Sequence, residues 1–136
     1  MTDRPATTVE RFGGQAPWEA TYGYCRVVVA GDWALTAGTT ATGPAGVLHR
    51  GDPYRQTVAA FTIALDALRA AGVGRDDVVR TRMYVTDIAH QAEVGRAHRE
   101  LFAAASPVAT LVQVGALADP DHLVEVEVEA YRRMGG

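Results

Sequence analysis

The sequence predicts an α+β fold: one mixed β-sheet with two helices packed on one face. Three observations predict it. Strand and helix patterns follow in the order strand, strand, helix, strand, helix, strand, strand. Two stretches repeat apolar residues at helical steps, each opened by an aspartate able to cap a helix. The last strand alternates Val124, Val126, Val128 and Ala130 with Glu125, Glu127 and Glu129. Successive side chains on a strand point to opposite faces, so one face suits a core and the other is acidic.

Each element has its own signal. Residues 1–15 are polar and read as an arm or a short edge strand. The apolar run Cys25–Ala30, a Gly31-Asp32 turn and Trp33–Ala37 read as a hairpin. Gly38 to Gly51 holds four glycines and Pro44, so a long loop is expected. Asp52-Pro53 opens the first helix, because proline fits a first helical position whose N–H has no partner. Val58, Phe61, Leu65 and Leu68 form its apolar side, and Gly72 supplies a left-handed end. In the next strand, Val79, Thr81, Met83 and Val85 alternate with Arg80, Arg82, Tyr84 and Thr86. Asp87 then caps a helix to about Ala104, with Ile88, Ala92, Val94, Leu101 and Phe102 inward. Val108–Val114 and Leu123–Tyr131 close the sheet, on which the Glu row shares a face with Arg80, Arg82 and Tyr84.

The 136 residues point to one domain, 1–136, with room for one core. Thirteen cations against sixteen acids give a net charge of −3, which does not suit a nucleic-acid binder. All thirteen cations are arginine, so Schiff-base and phosphate-loop lysines are excluded. No apolar run approaches the 18 or so residues of a membrane span. The first residues lack an apolar signal core, so a cytoplasmic location is expected.

Candidate chemistry is sparse. Ser106 is the only serine and has no G-x-S-x-G elbow around it. Cys25 lies in an apolar run and reads as a packed small residue. His49, His90, His98 and His122 match no metal-binding spacing, and no cofactor is expected. The Gly-rich stretches from Gly38 and Ala71 fit no phosphate-binding fingerprint. Glu125, Glu127 and Glu129 remain: either a solvated face, or a cleft carboxylate that holds a water as general base.

Several motifs in order resemble one known family. They are G-Y-C-R-V-V-V-A-G at Gly23–Gly31, T-A-G at Thr36–Gly38 and D-P-Y-R-Q-T at Asp52–Thr57. D-D-V-V-R-T-R-M-Y-V-T-D at Asp76–Asp87 is the most specific. P-V-A-T-L-V-Q-V-G-A-L at Pro107–Leu117 and V-E-V-E-A at Val126–Ala130 complete the set. Over about residues 20–131 the chain resembles the YjgF/RidA family, also called L-PSP endoribonuclease.

The resemblance implies a chorismate-mutase-like fold and a homotrimer with a central barrel of sheets. It also implies three small-molecule clefts between subunits. The best-known members deaminate imines and enamines. Their P-A-R-S/T arginine, a fork for the substrate carboxylate, is here Ala109. The cleft glutamate falls on Glu127, the ligand-orienting tyrosine on Tyr24, and the glycine approached by the ligand on Gly38. Arg82 stands where the family has a small residue. It either pairs with Glu127 or Glu129, or reaches the cleft and replaces the lost cation. Three functions follow: a small hydrolase or tautomerase of imine, enamine or carbonyl compounds; a non-catalytic small-molecule binder; and an RNA-acting enzyme, which the charge disfavours.

Overall fold

A computed structural model of the chain describes residues 8–14 and 16–133. The expectation for residues 1–7 and 15 lies outside the described residues. Seven strands form the main sheet among the described residues; six of them, β1 (Val9–Phe12), β2 (Val27–Ala30), β3 (Trp33–Thr36), β9 (Val124–Tyr131), β7 (Val78–Val85) and β8 (Val108–Gln113), follow in that spatial order. All neighbours pair antiparallel except β7 and β8, so the sheet is mixed. The 38–51 loop is more regular than expected. It holds the two-residue strands β4 (Thr39–Thr40), β5 (Thr42–Gly43) and β6 (Gly46–Val47), and β4 continues the pairing with β9.

The hairpin turns where the sequence places it, with Ala30 opposite Trp33 and Gly31 at φ 60°. A five-residue helix, α1 (Trp18–Tyr22), precedes it and was not expected. Five residues are too few for an apolar stripe to form.

Helix α2 (Pro53–Ala70) starts as its sequence dictates. Asp52 Oδ1 accepts from Arg55 N–H at 3.0 Å, and Gly72 ends it at φ 87°. Phe61, Leu65 and Leu68 are buried, while Val58 is only partly so. Helix α3 (Gln91–Phe102) begins later than expected. Asp87 caps a 3₁₀ turn, Ile88–His90, by accepting from Ala89 N–H. Ile88 is therefore 45% exposed and Ala92 is outward, whereas Val94, Ala97 and Phe102 are buried. Phe61 and Phe102 meet edge to face at 4.9 Å between ring centres and join the two helices.

Both helices lie on the face carrying Val27, Val29, Ala34, Met83, Val85 and the Val124–Ala130 apolar row. One residue of β7 departs from the simple alternation. The pairing with β9 slips between Val78 and Arg80, so Val78 takes the core place and Val79 is 38% exposed. This β-bulge inserts one residue and reverses parity locally. Beyond it the alternation holds, and the Glu row shares its face with Arg80, Arg82 and Tyr84.

Candidate functional site

The uncovered face of the sheet is organised by a diagonal shift. Across β7 and β9, Arg80 is opposite Glu129, Arg82 opposite Glu127, and Tyr84 opposite Glu125. Two contacts run one step further along: Arg82 Nη1 donates to Glu129 Oε1 at 2.7 Å and Tyr84 donates to Glu127 Oε1, while Arg80 Nε stays with its opposite residue, 3.6 Å from Glu129 Oε2. Diagonal neighbours on a sheet are within reach of long side chains. The hydrogen bond to Glu129 raises the Arg82 pKa, and the bond to Glu127 raises that of Tyr84.

The shift leaves the first carboxylate of the row over. Among the described residues no hydrogen bond reaches the Glu125 carboxylate. It lies instead against Gly38, where an added Cβ would collide with it. Burial, then the neighbouring charge of Glu127, raises its pKa; His122 and Arg26 oppose that shift.

Arg26 and His122 complete this corner. Arg26 stands just before β2 and is half-buried. Its Nη2 donates to the Gly38 carbonyl at 3.0 Å, and its guanidinium carbon lies 5.9 Å from the centre of the Tyr24 ring. Its Nε is out of reach of water and unpartnered. His122 is buried beside Thr42, with Nε2 3.0 Å from the hydroxyl and Nδ1 unpartnered.

Of the residues singled out in the sequence, Tyr24 and Gly38 meet at this corner through Arg26. Tyr24 is 39% exposed, in the segment between α1 and β2. Glu127 is the next residue along the same strand face, and Gly38 lies between the Leu35–Glu129 and Thr39–Val126 pairings. Arg82 is two residues from the corner, with its guanidinium on Glu129. Ala109 is not brought to these groups within one chain. It pairs with Thr81 on the edge strand β8, which puts its methyl on the other face, with β7 intervening. Arg26 and Glu125 were not singled out as site residues. A cation breaking the apolar run C-R-V-V-V-A was the signal for the first. Nothing in an even row of glutamates distinguishes the second.

Among the described residues no group of three His, Cys, Asp or Glu side chains could hold a metal ion. No helix among them is long and apolar enough to cross a membrane.

The family model described as endoribonuclease L-PSP matches residues 13–132. The uncharacterized protein SCO2049 of Streptomyces coelicolor is 44% identical over 124 residues, covering 91% of this chain and 92% of that protein. A RutC family protein of Pyrococcus horikoshii, PH0854, is 29% identical over 110 residues, covering 80% and 86%. Among solved structures, Rv2704 of Mycobacterium tuberculosis, a member of the YjgF/YER057c/UK114 family, superposes with a TM-score of 0.84. That match has 38% identity and covers 92% of this chain and 100% of that one. The chorismate-mutase-like architecture implied by the sequence motifs is the fold these neighbours share.

Proposed function

The chain belongs to the endoribonuclease L-PSP family, and from that membership we propose that it works as a homotrimer whose clefts act on a small imine, enamine or carbonyl compound. The uncovered strand face carries this reading. Its polar row of Arg80, Arg82, Tyr84, Glu125, Glu127 and Glu129 is only half-exposed in one copy, and exposed Trp33, Leu35, Val108, Val112 and Tyr131 surround it. A broad surface of this composition marks a contact between proteins. Three copies that turn these faces inward bury it. The Tyr24–Gly38–Glu127 end then meets the edge strand of a neighbour, the position at which Ala109 stands.

In that cleft Glu127 positions the attacking water, Tyr24 orients the ligand, and Gly38 admits it to the backbone. Arg82 supports the site through Glu129. Ala109 offers no charged fork, and charge-assisted hydrogen bonds of that kind are worth about 1.5–3 kcal/mol each. Efficient deamination of 2-imino acids is therefore not expected. RNA hydrolysis, the activity in the family's name, does not suit three carboxylates facing a phosphate backbone.

A non-catalytic role in small-molecule binding is the second reading. The observation favouring it is the Tyr84 phenol, which already occupies one oxygen of Glu127. Ammonia release from freshly generated imines tests both. Uncharged imines should be hydrolysed above background and 2-imino acids only near background, with Glu127→Gln abolishing the rate. A rate that survives Glu127→Gln removes the proposed water site, and fast turnover of 2-imino acids contradicts the role given to Ala109.

A further inference from the structure

His98 carries a hydrogen-bond donor that the chain itself does not use. Its Nε2 lies 2.7 Å from the hydroxyl of Thr81, which is fully buried and has no other partner among the described residues. A buried hydroxyl donates its proton where an acceptor is in reach. Thr81 therefore donates to Nε2, and the neutral ring carries its own proton on Nδ1. Burial lowers the pKa of His98, so the ring is uncharged at neutral pH. Nδ1–H has no acceptor among the described residues. The buried side-chain nitrogens without a partner there are Arg26 Nε, His90 Nδ1 and His122 Nδ1, so the Nδ1 of His98 is open to solvent.

Packing fixes the direction in which it opens. The rings of Phe61 and Phe102 stand 5.7 and 4.9 Å from the imidazole, and Thr81 of β7 lies beneath it. Two residues mark the flank of α3 that faces α2. Arg96 lies 3.9 Å from the centre of the Tyr54 ring, and Glu100 accepts from the Tyr54 hydroxyl. At about 100° per residue, His98 is about 160° from each of them, on the flank that overlies the edge strand β8. Helical side chains lean toward the helix N-terminus, so the imidazole stands over the turn of Gly95. Apart from the helix backbone and the two chain neighbours, nothing lies within 4 Å of where a Gly95 side chain would begin. On β8, Ala109 pairs with Thr81, so its methyl shares the helix side of the sheet, about 4.8 Å away across the strands. Ala109 is exposed there. The imidazole therefore borders an open gap between a glycine and an alanine.

We propose that His98 is a substrate-recognition residue, donating from Nδ1–H across the gap over Gly95 and Ala109 to the carbonyl oxygen or imine nitrogen of an uncharged ligand. The proposal rests on the cleft reading above and supplies the group that meets the ligand from the Ala109 side. A neutral donor gives one directed hydrogen bond and no charge, so it suits a carbonyl or imine head better than a carboxylate. The small residues on both sides leave room for that head.

The test is nitrogen NMR of the isotope-labelled full chain, with cyclohexanone as the uncharged carbonyl probe. Before addition His98 should show the Nδ1–H form; the Nε2–H form overturns the proposal. With cyclohexanone, the Nδ1 of His98 and the backbone amides of Gly95 and Ala109 should shift saturably. Two variants separate recognition from packing. In His98→Gln the side-chain oxygen still accepts from Thr81, whereas in His98→Asn the amide nitrogen takes the place of Nδ1. The His98→Asn variant should bind cyclohexanone nearly as tightly as the wild type, and His98→Gln at least fivefold more weakly. The reverse order makes His98 a packing residue and overturns the proposal. If His98→Asn does not fold, unchanged binding in His98→Gln overturns it just as well. Shifts at Tyr24 and Gly38 with none at His98 sink only this inference. Shifts at His98 in a chain that light scattering finds monomeric keep the donor and sink the cleft between chains. No shift at any of these groups sinks both.

Discussion

Glu125 sits half in the protein with a second carboxylate next to it, and its proton equilibrium records that position. Burial first, and Glu127 second, raise its pKa. The folded chain therefore binds this proton more tightly than the unfolded chain does. The stabilisation is complete below the ordinary glutamate value of about 4.3 and is lost as the pH rises through the raised folded value. Glu125→Gln removes the loss. Thermal unfolding should show the variant gaining on the wild type at pH 7.5, with the gain shrinking as the pH approaches 4. A difference that does not change with pH contradicts this account of the residue. Single residues were unevenly legible in the sequence. Asp52 was readable because a cap acts on the next few residues of its own chain. Gln56 was not. Its amide donates to Asp121 O at 2.9 Å and accepts from Leu123 N–H at 2.8 Å, clamping a loop 65 residues away. Arg26 belongs with Gln56, since its partner Gly38 becomes a neighbour only when the hairpin closes.

At the scale of elements, the two helices are tied to each other as well as to the sheet. Phe61 of α2 is fully buried between the Phe102 ring at 4.9 Å and the His98 ring at 5.7 Å, both on α3. Phe61→Ala should cost about 3–5 kcal/mol, the usual range for a buried phenylalanine. Chemical denaturation reads this directly, and a loss below about 1 kcal/mol would show that the α2–α3 contact is not a main support. The long elements were legible because periodicity repeats and averages out exceptions: α2, β7, β8 and β9 lie close to where the pattern places them. The misses are short-range events. The bulge at Val78–Arg80 adds one residue to one strand, which an alternation rule reads as continuous, and Val79 was assigned to the wrong face. The 3₁₀ turn at Ile88–His90 delays α3 by one turn and turns Ile88 outward. Helix α1 is one turn of chain with no buried residue to announce it.

On the scale of the whole molecule, the sheet has helices on one side and a mixed polar and apolar surface on the other. The acidic row was legible from the sequence, because the Val and Glu alternation is absolute over seven residues. Within the face, the pairing of Arg82 with Glu127 or Glu129 was one of two sequence readings and diagonal reach selects Glu129, whereas the Tyr84–Glu127 contact was not legible. Nor was the distance between Ala109 and Glu127, which becomes visible only once β7 is seen to run between their strands. The central claim is that this face closes against copies of itself and so builds the cleft between chains. Light scattering on the purified chain at micromolar concentration tests it most directly. The account predicts a single species of about three times 14.5 kDa; a species of 14.5 kDa would contradict it.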